Sequence, residues 1–247
     1  MKQIKKGIKT IAIVFLWVII WQLAAYMINL DLLLPSPITT LKALITLFYD
    51  TKFYTSVAIS LLRIATGYLL GVFCGISGAV LSHRFRFIRS FSTPVLRIIS
   101  AVPVASFIIL ALVWFHSTTL PIFICFLMVL PMIWNVVLSG LDNIDVKYLE
   151  LAKVYKLDSF KVLFKLKLRF ILPTLISTSL TALGFAWKSG IAAEVICRPS
   201  HSLGNMLQEA KIYISTPEVF ALTAVVAILS LLLELLIRRL LRRFTND

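Results

Sequence analysis

Acidic side chains are scarce in this sequence. Among its 247 residues there are 11 Asp and Glu against 25 Lys and Arg, so the formal net charge is +14. The three histidines, His83, His116 and His201, lack the spacing of metal ligands. Asp142 and Asp145 have a spacing seen in magnesium-binding enzymes, but no second acidic cluster accompanies them. The alternative is an integral membrane enzyme that modifies lipids or isoprenoids. Such an enzyme needs clustered carboxylates or histidines, and the sequence contains no such cluster.

Paired cysteines and a phosphate-binding loop are also missing. Cys74, Cys125 and Cys197 are an odd number and form no C-x-x-C, so neither a disulfide framework nor a zinc site is indicated. The segment GFAWKS at 184–189 lacks the second glycine of the G-x-x-x-x-G-K-[ST] loop and lies in an apolar run. We therefore expect no catalytic residue, no metal and no cofactor in this chain.

Charged residues of either sign are few, and apolar residues occur in long blocks. Charged residues make up 15% of the chain and hydrophobic residues 60%, with a mean hydropathy of +0.95. A soluble domain averages about 25% charged residues. The basic residues fall in short runs between the apolar blocks, which is typical of membrane topology and argues against a nucleic-acid partner. The sequence predicts an all-α polytopic membrane protein.

The apolar blocks predict six transmembrane helices. A helix needs about 20 apolar residues to cross the bilayer. Residues 98–141 contain no Asp, Glu, Lys or Arg and are long enough for two helices, with a turn signal, HSTTLP, near the middle. The predicted spans are 10–30, 56–82, 98–115, 119–140, 174–195 and 219–237.

Basic residues predict the orientation. Nineteen of the 25 lie in the N-terminal segment, in the loops after the second and fourth spans, and in the C-terminal segment. With six spans these four segments share one side, so both termini are predicted to be cytoplasmic. Residues 10–30 are longer than the apolar part of a signal peptide, so we expect a retained span.

One amphipathic, lysine-rich segment, YLELAKVYKLDSFKVLFKLKLRFILP at 148–173, separates two predicted spans. It predicts two short helices that meet near residues 157–159, the second ending at about Phe170, before Pro173. Two uses fit this pattern. The segment could lie on anionic lipid, or its apolar face could dock into a groove of a soluble partner.

This segment resembles the EAA loop of ATP-binding-cassette (ABC) importer permeases. Glu150 and Ala152 match the first and third positions of the Glu-Ala-Ala motif, and Leu172–Pro173 match its closing pair. Leu151 stands where the family usually has alanine, and Lys156 where it usually has glycine.

Other segments resemble one group of these permeases, that for nitrate, sulfonates and taurine. The segments, in the order and spacing of that group, are LPSP at 34–37, LLRIATGYLLG at 61–71, AWKSGIAAEVI at 186–196 and SLGNMLQEAK at 202–211.

The resemblance implies a type I ABC permease fold with three parts. These are an N-terminal span with an outer amphipathic segment at 1–55, a core domain at 56–240 whose coupling loop is 141–173, and a cytoplasmic tail at 241–247. It further implies a homodimer, cytoplasmic ATPase subunits that bind the ATP, and an extracytoplasmic solute-binding protein. The solute would be a small anion such as a sulfonate, taurine or nitrate, or alternatively a thiamine precursor or another small nutrient. The residues expected to contact the ATPase are Glu150, Leu151, Ala152, Tyr155, Lys156, Leu157 and Pro173.

Three charged residues lie within or near predicted spans. A charge at the bilayer centre costs at least about 2.5–3.5 kcal/mol, so such residues usually face a partner or water. Arg63 and Glu194 fall at matching depths and are predicted to form a pair, which is either structural or part of the pathway. Lys188 lies deeper. It could line the pathway of an anionic solute, extend to an interface, or meet an acidic partner.

Four glycines form a stripe along the second predicted span. Gly67, Gly71, Gly75 and Gly78 lie three or four residues apart, and Gly67 with Gly71 forms a GxxxG pair. The stripe predicts close helix packing, within the chain or at a dimer or moving interface.

Overall fold

The computed structural model describes the backbone of residues 2–155, 158 and 162–243, and the side chains of 12–148, 150, 154–155, 158, 162 and 166–239. The described chain contains helices and connecting turns only, which confirms the all-α prediction. In chain order the helices are α1 (Lys2–Ile28), α2 (Pro37–Tyr49), α3 (Thr51–Arg84), α4 (Arg86–Ala101), α5 (Val104–Ala111), α6 (Leu120–Asp142), α7 (Val146–Val154), a π-helical segment (Val162–Lys167), α8 (Leu168–Cys197), α9 (Leu203–Ile212) and α10 (Thr216–Arg243).

Helices α3, α6 and α8 form the centre of the bundle. Helices α3 and α6 run parallel and in close contact, because a Cβ at Gly71 would lie 2.7 Å from the Cβ of Val129, and a Cβ at Gly75 would lie 2.8 Å from that of Ile133. Gly67 and Gly78 also face α6. The glycine stripe therefore lies at the α3–α6 interface, where the absence of side chains lets the two backbones approach.

Helix α8 runs antiparallel to α3 and completes the core. The side chain of Trp187 on this helix is buried, and its indole Nε1 donates a hydrogen bond to the Val226 carbonyl of α10 at 3.1 Å. The Tyr68 hydroxyl donates to the Ser179 carbonyl at 3.2 Å. The polar groups of both aromatic side chains are thus hydrogen-bonded within the bundle.

Two amphipathic helices, α2 and α9, cover one end of the bundle, called here the α9 end. Each begins at a serine whose hydroxyl caps the helix. The Oγ of Ser36 accepts from the Thr39 amide at 3.1 Å, and the Oγ of Ser202 accepts from the Asn205 amide at 3.0 Å. The opposite end carries α7 and is called the α7 end.

Four helices of the described chain, α3, α6, α8 and α10, are long and apolar enough to cross a membrane. The helices α4 and α5 add a fifth span if the pair is counted as one. The apolar part of α1, Ala12–Ile28, is shorter than these. The predicted total of six is reached when both the bent pair and α1 are counted.

The third predicted span, 98–115, is not one continuous helix. Helix α4 ends at Ala101, and the chain bends by 104° into α5, which ends at Ala111. Pro103 explains the break. It has no amide hydrogen to donate, and it forces Val102 into an extended conformation with φ −79° and ψ 133°.

The predicted helix end before Pro173 is also wrong. Helix α8 passes through this proline without interruption. Two residues earlier, Ile171 is buried against Gly140 of α6, where an added Cβ would lie 2.7 Å from the Cγ1 of Ile171. This packing holds the first turns of α8 in place although one backbone hydrogen bond is lost. The predicted bend near 157–159 falls mostly outside the described residues.

Candidate functional site

The predicted coupling residues lie at the α7 end. Helix α7 is a short connection between α6 and α8, and Glu150 on it is exposed. Val154, at the end of the same helix, and Tyr155, which follows it, are 77% and 70% exposed. Two apolar side chains and a carboxylate are thus presented to the surroundings where the chain leaves the bundle. Such a surface suits docking of a partner.

The structure describes the other predicted coupling residues in less detail. Leu151 and Ala152 belong to the backbone of α7, and Pro173 is an exposed residue of α8. Lys156 and Leu157 lie outside the described residues.

A polar cluster that the sequence does not reveal anchors the base of this loop. The carboxylate of Asp142, at the end of α6, lies 3.0 Å from Nδ1 of His83 and 2.9 Å from Nη2 of Arg89. The Nε2 of His83 lies 3.0 Å from Nζ of Lys167. The cluster joins α3, α4, α6 and the π-helical segment. The sequence signal available was indirect, namely that these residues fall at span ends predicted on the same side.

A second polar cluster, at the α9 end, centres on Glu194. Its side chain is fully buried, and its Oε2 accepts hydrogen bonds from the Ser60 hydroxyl at 2.7 Å and from the Gly204 amide at 3.3 Å. The other oxygen, Oε1, lies 3.5 Å from Nη1 of Arg63. Residues of α3, α8 and α9 therefore converge on one carboxylate.

Arg63 has further acceptors in the loop that precedes α9. Its guanidinium donates to the carbonyls of Ser200 and His201, each at 3.2 Å. In this loop Arg198 and His201 adopt left-handed backbone conformations, with φ of 52° and 51°. Such conformations are costly for residues other than glycine and persist where surrounding contacts hold them. Arg63 and Ser60 supply such contacts, because the Ser60 hydroxyl also accepts from the Leu203 amide at 2.9 Å.

Lys188 does not join this cluster. It lies on the exposed side of α8 and has no hydrogen-bond or ion-pair partner among the described residues. The structure therefore brings Arg63 and Glu194 together and leaves Lys188 apart from them.

A cavity of about 500 Å³ lies between α4 and α6. Its lining is mixed: Arg89, Thr93, Arg97, Ser100 and Asn135 are polar or basic, and Leu96, Ala101, Trp134 and Leu138 are apolar. Cavities of about 300–1,000 Å³ are typical of small-molecule sites. Arg89 is paired with Asp142, whereas Arg97 has no ion-pair partner in the described part of the chain. The same part contains no group of three His, Cys, Asp or Glu that could hold a metal ion.

Comparison with known proteins agrees with this architecture. The taurine transport system permease protein TauC of Escherichia coli is 28% identical over 251 residues, covering 99% of this chain and 90% of that protein. The nitrate import permease protein NrtB of Leptolyngbya laminosa is 26% identical over 259 residues, covering all of this chain and 90% of that protein. Both belong to the group that the sequence motifs resemble.

A solved structure supports the fold. The crystal structure of a bacterial ABC transporter involved in the import of the acidic polysaccharide alginate contains a chain with a TM-score of 0.68 and 16% sequence identity. The match covers 99% of this chain and 98% of that chain. Residues 67–246 match the family described as "Binding-protein-dependent transport system inner membrane component". The helical bundle and its exposed connecting helix agree with these similarities. The chain belongs to this family of ABC importer permeases.

Proposed function

We propose that two copies of this chain form the membrane pathway of an ATP-driven importer for a small anionic solute, with α7 as the contact to the ATPase. The observation that carries this proposal is the exposed α7 surface of Glu150, Val154 and Tyr155. It lies beside a polar cluster that ties the ends of three helices together. A push on α7 would therefore move several helices at once, which is what coupling to a separate ATPase requires.

In this proposal the chain catalyses no reaction itself and binds no cofactor. ATP is bound by the partner subunits, since the sequence contains no phosphate-binding loop. The α7 end and both termini face the cytoplasm, where most basic residues then lie. The α9 end faces outward and receives solute from a binding protein.

Two features support an anionic solute. Taurine, which carries a sulfonate, and nitrate are the solutes named for two relatives of this chain. The cavity between α4 and α6 is lined by two arginines and several hydrogen-bonding side chains. Guanidinium groups match oxyanions in charge and in geometry.

The proposal is tested by co-expression with the ATPase and binding protein that we expect to be encoded beside this gene. The wild-type chain should co-purify with the ATPase, and Glu150→Lys should abolish this association without preventing membrane insertion. Asp31→Lys makes the same charge change at an exposed residue between α1 and α2, and it should leave association intact. Normal co-purification of Glu150→Lys would refute the role of α7.

A further inference from the structure

The exposed face of α8 has an unusual composition for a membrane helix. Its exposed residues nearer the two ends, such as Phe170 and Ala192, are mostly apolar, whereas between Thr174 and Lys188 the exposed residues are Thr174, Ser177, Thr181, Phe185 and Lys188. They follow one another at intervals of three or four residues and therefore form one face of the helix. Four of the five are polar, and one is a cation.

The exposed residues of two neighbouring spans differ sharply from this. In the middle of α3 they are Leu62, Ala65, Thr66, Leu69, Leu70 and Phe73. On α10 they include Ile228, Leu231, Leu232, Leu235 and Leu236. Both sets suit contact with lipid chains, whereas three hydroxyls and an ammonium group on one face, interrupted by Phe185, suit water.

Lys188 lies well inside α8 and not near its end. It precedes Cys197, the last residue of α8, by nine residues, or about 14 Å along the helix axis. Lysines extend to the interface from positions near a helix end. Among the described residues no carboxylate pairs with it.

Gly184 shows that the space beside this face is open. A Cβ added there meets no atom within 4 Å, whereas one at Gly190 on the packed side of α8 would lie 2.7 Å from Sγ of Cys125. Gly184 precedes Lys188 by four residues and so lies next to it along the helix. The glycine is not needed for packing within the chain, and it leaves room beside the ammonium group.

We propose that the exposed face of α8 lines a water-filled part of the solute pathway, and that Lys188 is the cationic residue that contacts the passing anion. This inference rests on the proposed importer function and names the residue that favours an anionic solute. Where two copies meet through this face, the two ammonium groups would repel, so water or an anion must lie between them. The face therefore borders a cavity and not a dry interface.

Cysteine labelling tests this directly. The three native cysteines are replaced by serine, and single cysteines are placed at Gly184, and at Leu69 on α3 as the lipid-facing control. The complete chain is reconstituted in lipid nanodiscs, which leave both membrane faces accessible. Each cysteine is then treated with two methanethiosulfonate reagents of similar size, one bearing a sulfonate and the other a trimethylammonium group.

We expect Gly184→Cys to react with both reagents and Leu69→Cys to react with neither. Adding Lys188→Met should lower the ratio of the sulfonate rate to the trimethylammonium rate by about tenfold, because a nearby unit charge is removed. Lys188→Arg should keep the original ratio. If Gly184→Cys proves unstable on size-exclusion chromatography, Thr181→Cys replaces it on the same face.

Two results would overturn the inference. A cysteine at 184 or 181 as unreactive as that at 69 would show that the face is dry, whether covered by lipid or by protein. An unchanged rate ratio in Lys188→Met would show that the lysine does not select for anions. The labelling requires neither ATPase nor solute, so failure of the chain to bind an ATPase would remove the proposed function and leave these results interpretable.

Discussion

The hydroxyl of Ser60 donates a hydrogen bond of 2.7 Å to the carboxylate of Glu194, which is 134 residues away in the chain. The same hydroxyl accepts a hydrogen bond from the Leu203 amide at 2.9 Å. One small side chain therefore connects α3, α8 and the start of α9.

Ser60→Ala should destabilise the protein by about 1–3 kcal/mol. The substitution leaves a fully buried carboxylate and a buried amide each without one partner, and unsatisfied buried groups carry costs of this size. Thermal unfolding in detergent measures the effect. Thr66→Ala, on the exposed side of α3, is the control. Its hydroxyl donates only to the Leu62 carbonyl in its own helix, so its unfolding temperature should stay near that of the wild type.

Exchange of the Arg63 and Glu194 charges should not restore stability. Arg63 also donates to the carbonyls of Ser200 and His201, and Glu194 also accepts from Ser60 and Gly204. In the double variant Arg63→Glu with Glu194→Arg, the new carboxylate would face the carbonyls of Ser200 and His201. The new guanidinium would face the Ser60 hydroxyl and the Gly204 amide, which are donors at present. We expect the double variant to unfold at a temperature no higher than either single variant. Recovery to the wild-type value would show that the ion pair alone matters.

Gly71→Leu should disrupt the α3–α6 interface, because even a Cβ at this position would lie 2.7 Å from that of Val129. Overpacking costs about 1–3 kcal/mol or more. Gly184→Ala is the matched control, since a Cβ at Gly184 meets nothing. It should be neutral or stabilising, because alanine suits a helix interior better than glycine by about 0.5–1 kcal/mol. Equal stability of the two variants in a detergent melt would contradict the packing described here.

Asp142→Asn should weaken coupling more than folding. The carboxylate pairs with His83 and Arg89 at a partly exposed position, where ion pairs contribute about 0–1 kcal/mol each. We expect the variant to assemble with its ATPase while solute-dependent ATP hydrolysis falls. Glu234→Gln removes the exposed i, i+4 pair with Arg238 on α10 and should leave hydrolysis unchanged. Wild-type stimulation in Asp142→Asn would exclude a coupling role for the cluster.

Several parts of the fold were predictable because they depend on local composition. Long apolar blocks predicted the all-α class and the spanning helices. The break at Pro103 was missed because the 98–141 block is apolar on both sides of it. The continuation of α8 through Pro173 was missed because the packing of Ile171 against Gly140 joins residues 31 positions apart.

The candidate sites also depend partly on local sequence and partly on tertiary packing. Matching depth in two spans was enough to suggest that Arg63 and Glu194 meet, but not that Ser60 and the amide of Gly204 share the carboxylate. The cluster of His83, Arg89, Asp142 and Lys167 had no local pattern, since its members lie in four separate elements.

The sequence by itself determined the membrane class of this protein and its kinship with importer permeases, because hydropathy and short motifs are properties of contiguous residues. Only the tertiary structure decided which charges are neutralised and which are left exposed. Burial and pairing arise when distant helices pack, and this packing encloses the carboxylate of Glu194 while it leaves Lys188, six residues earlier on the same helix, facing outward.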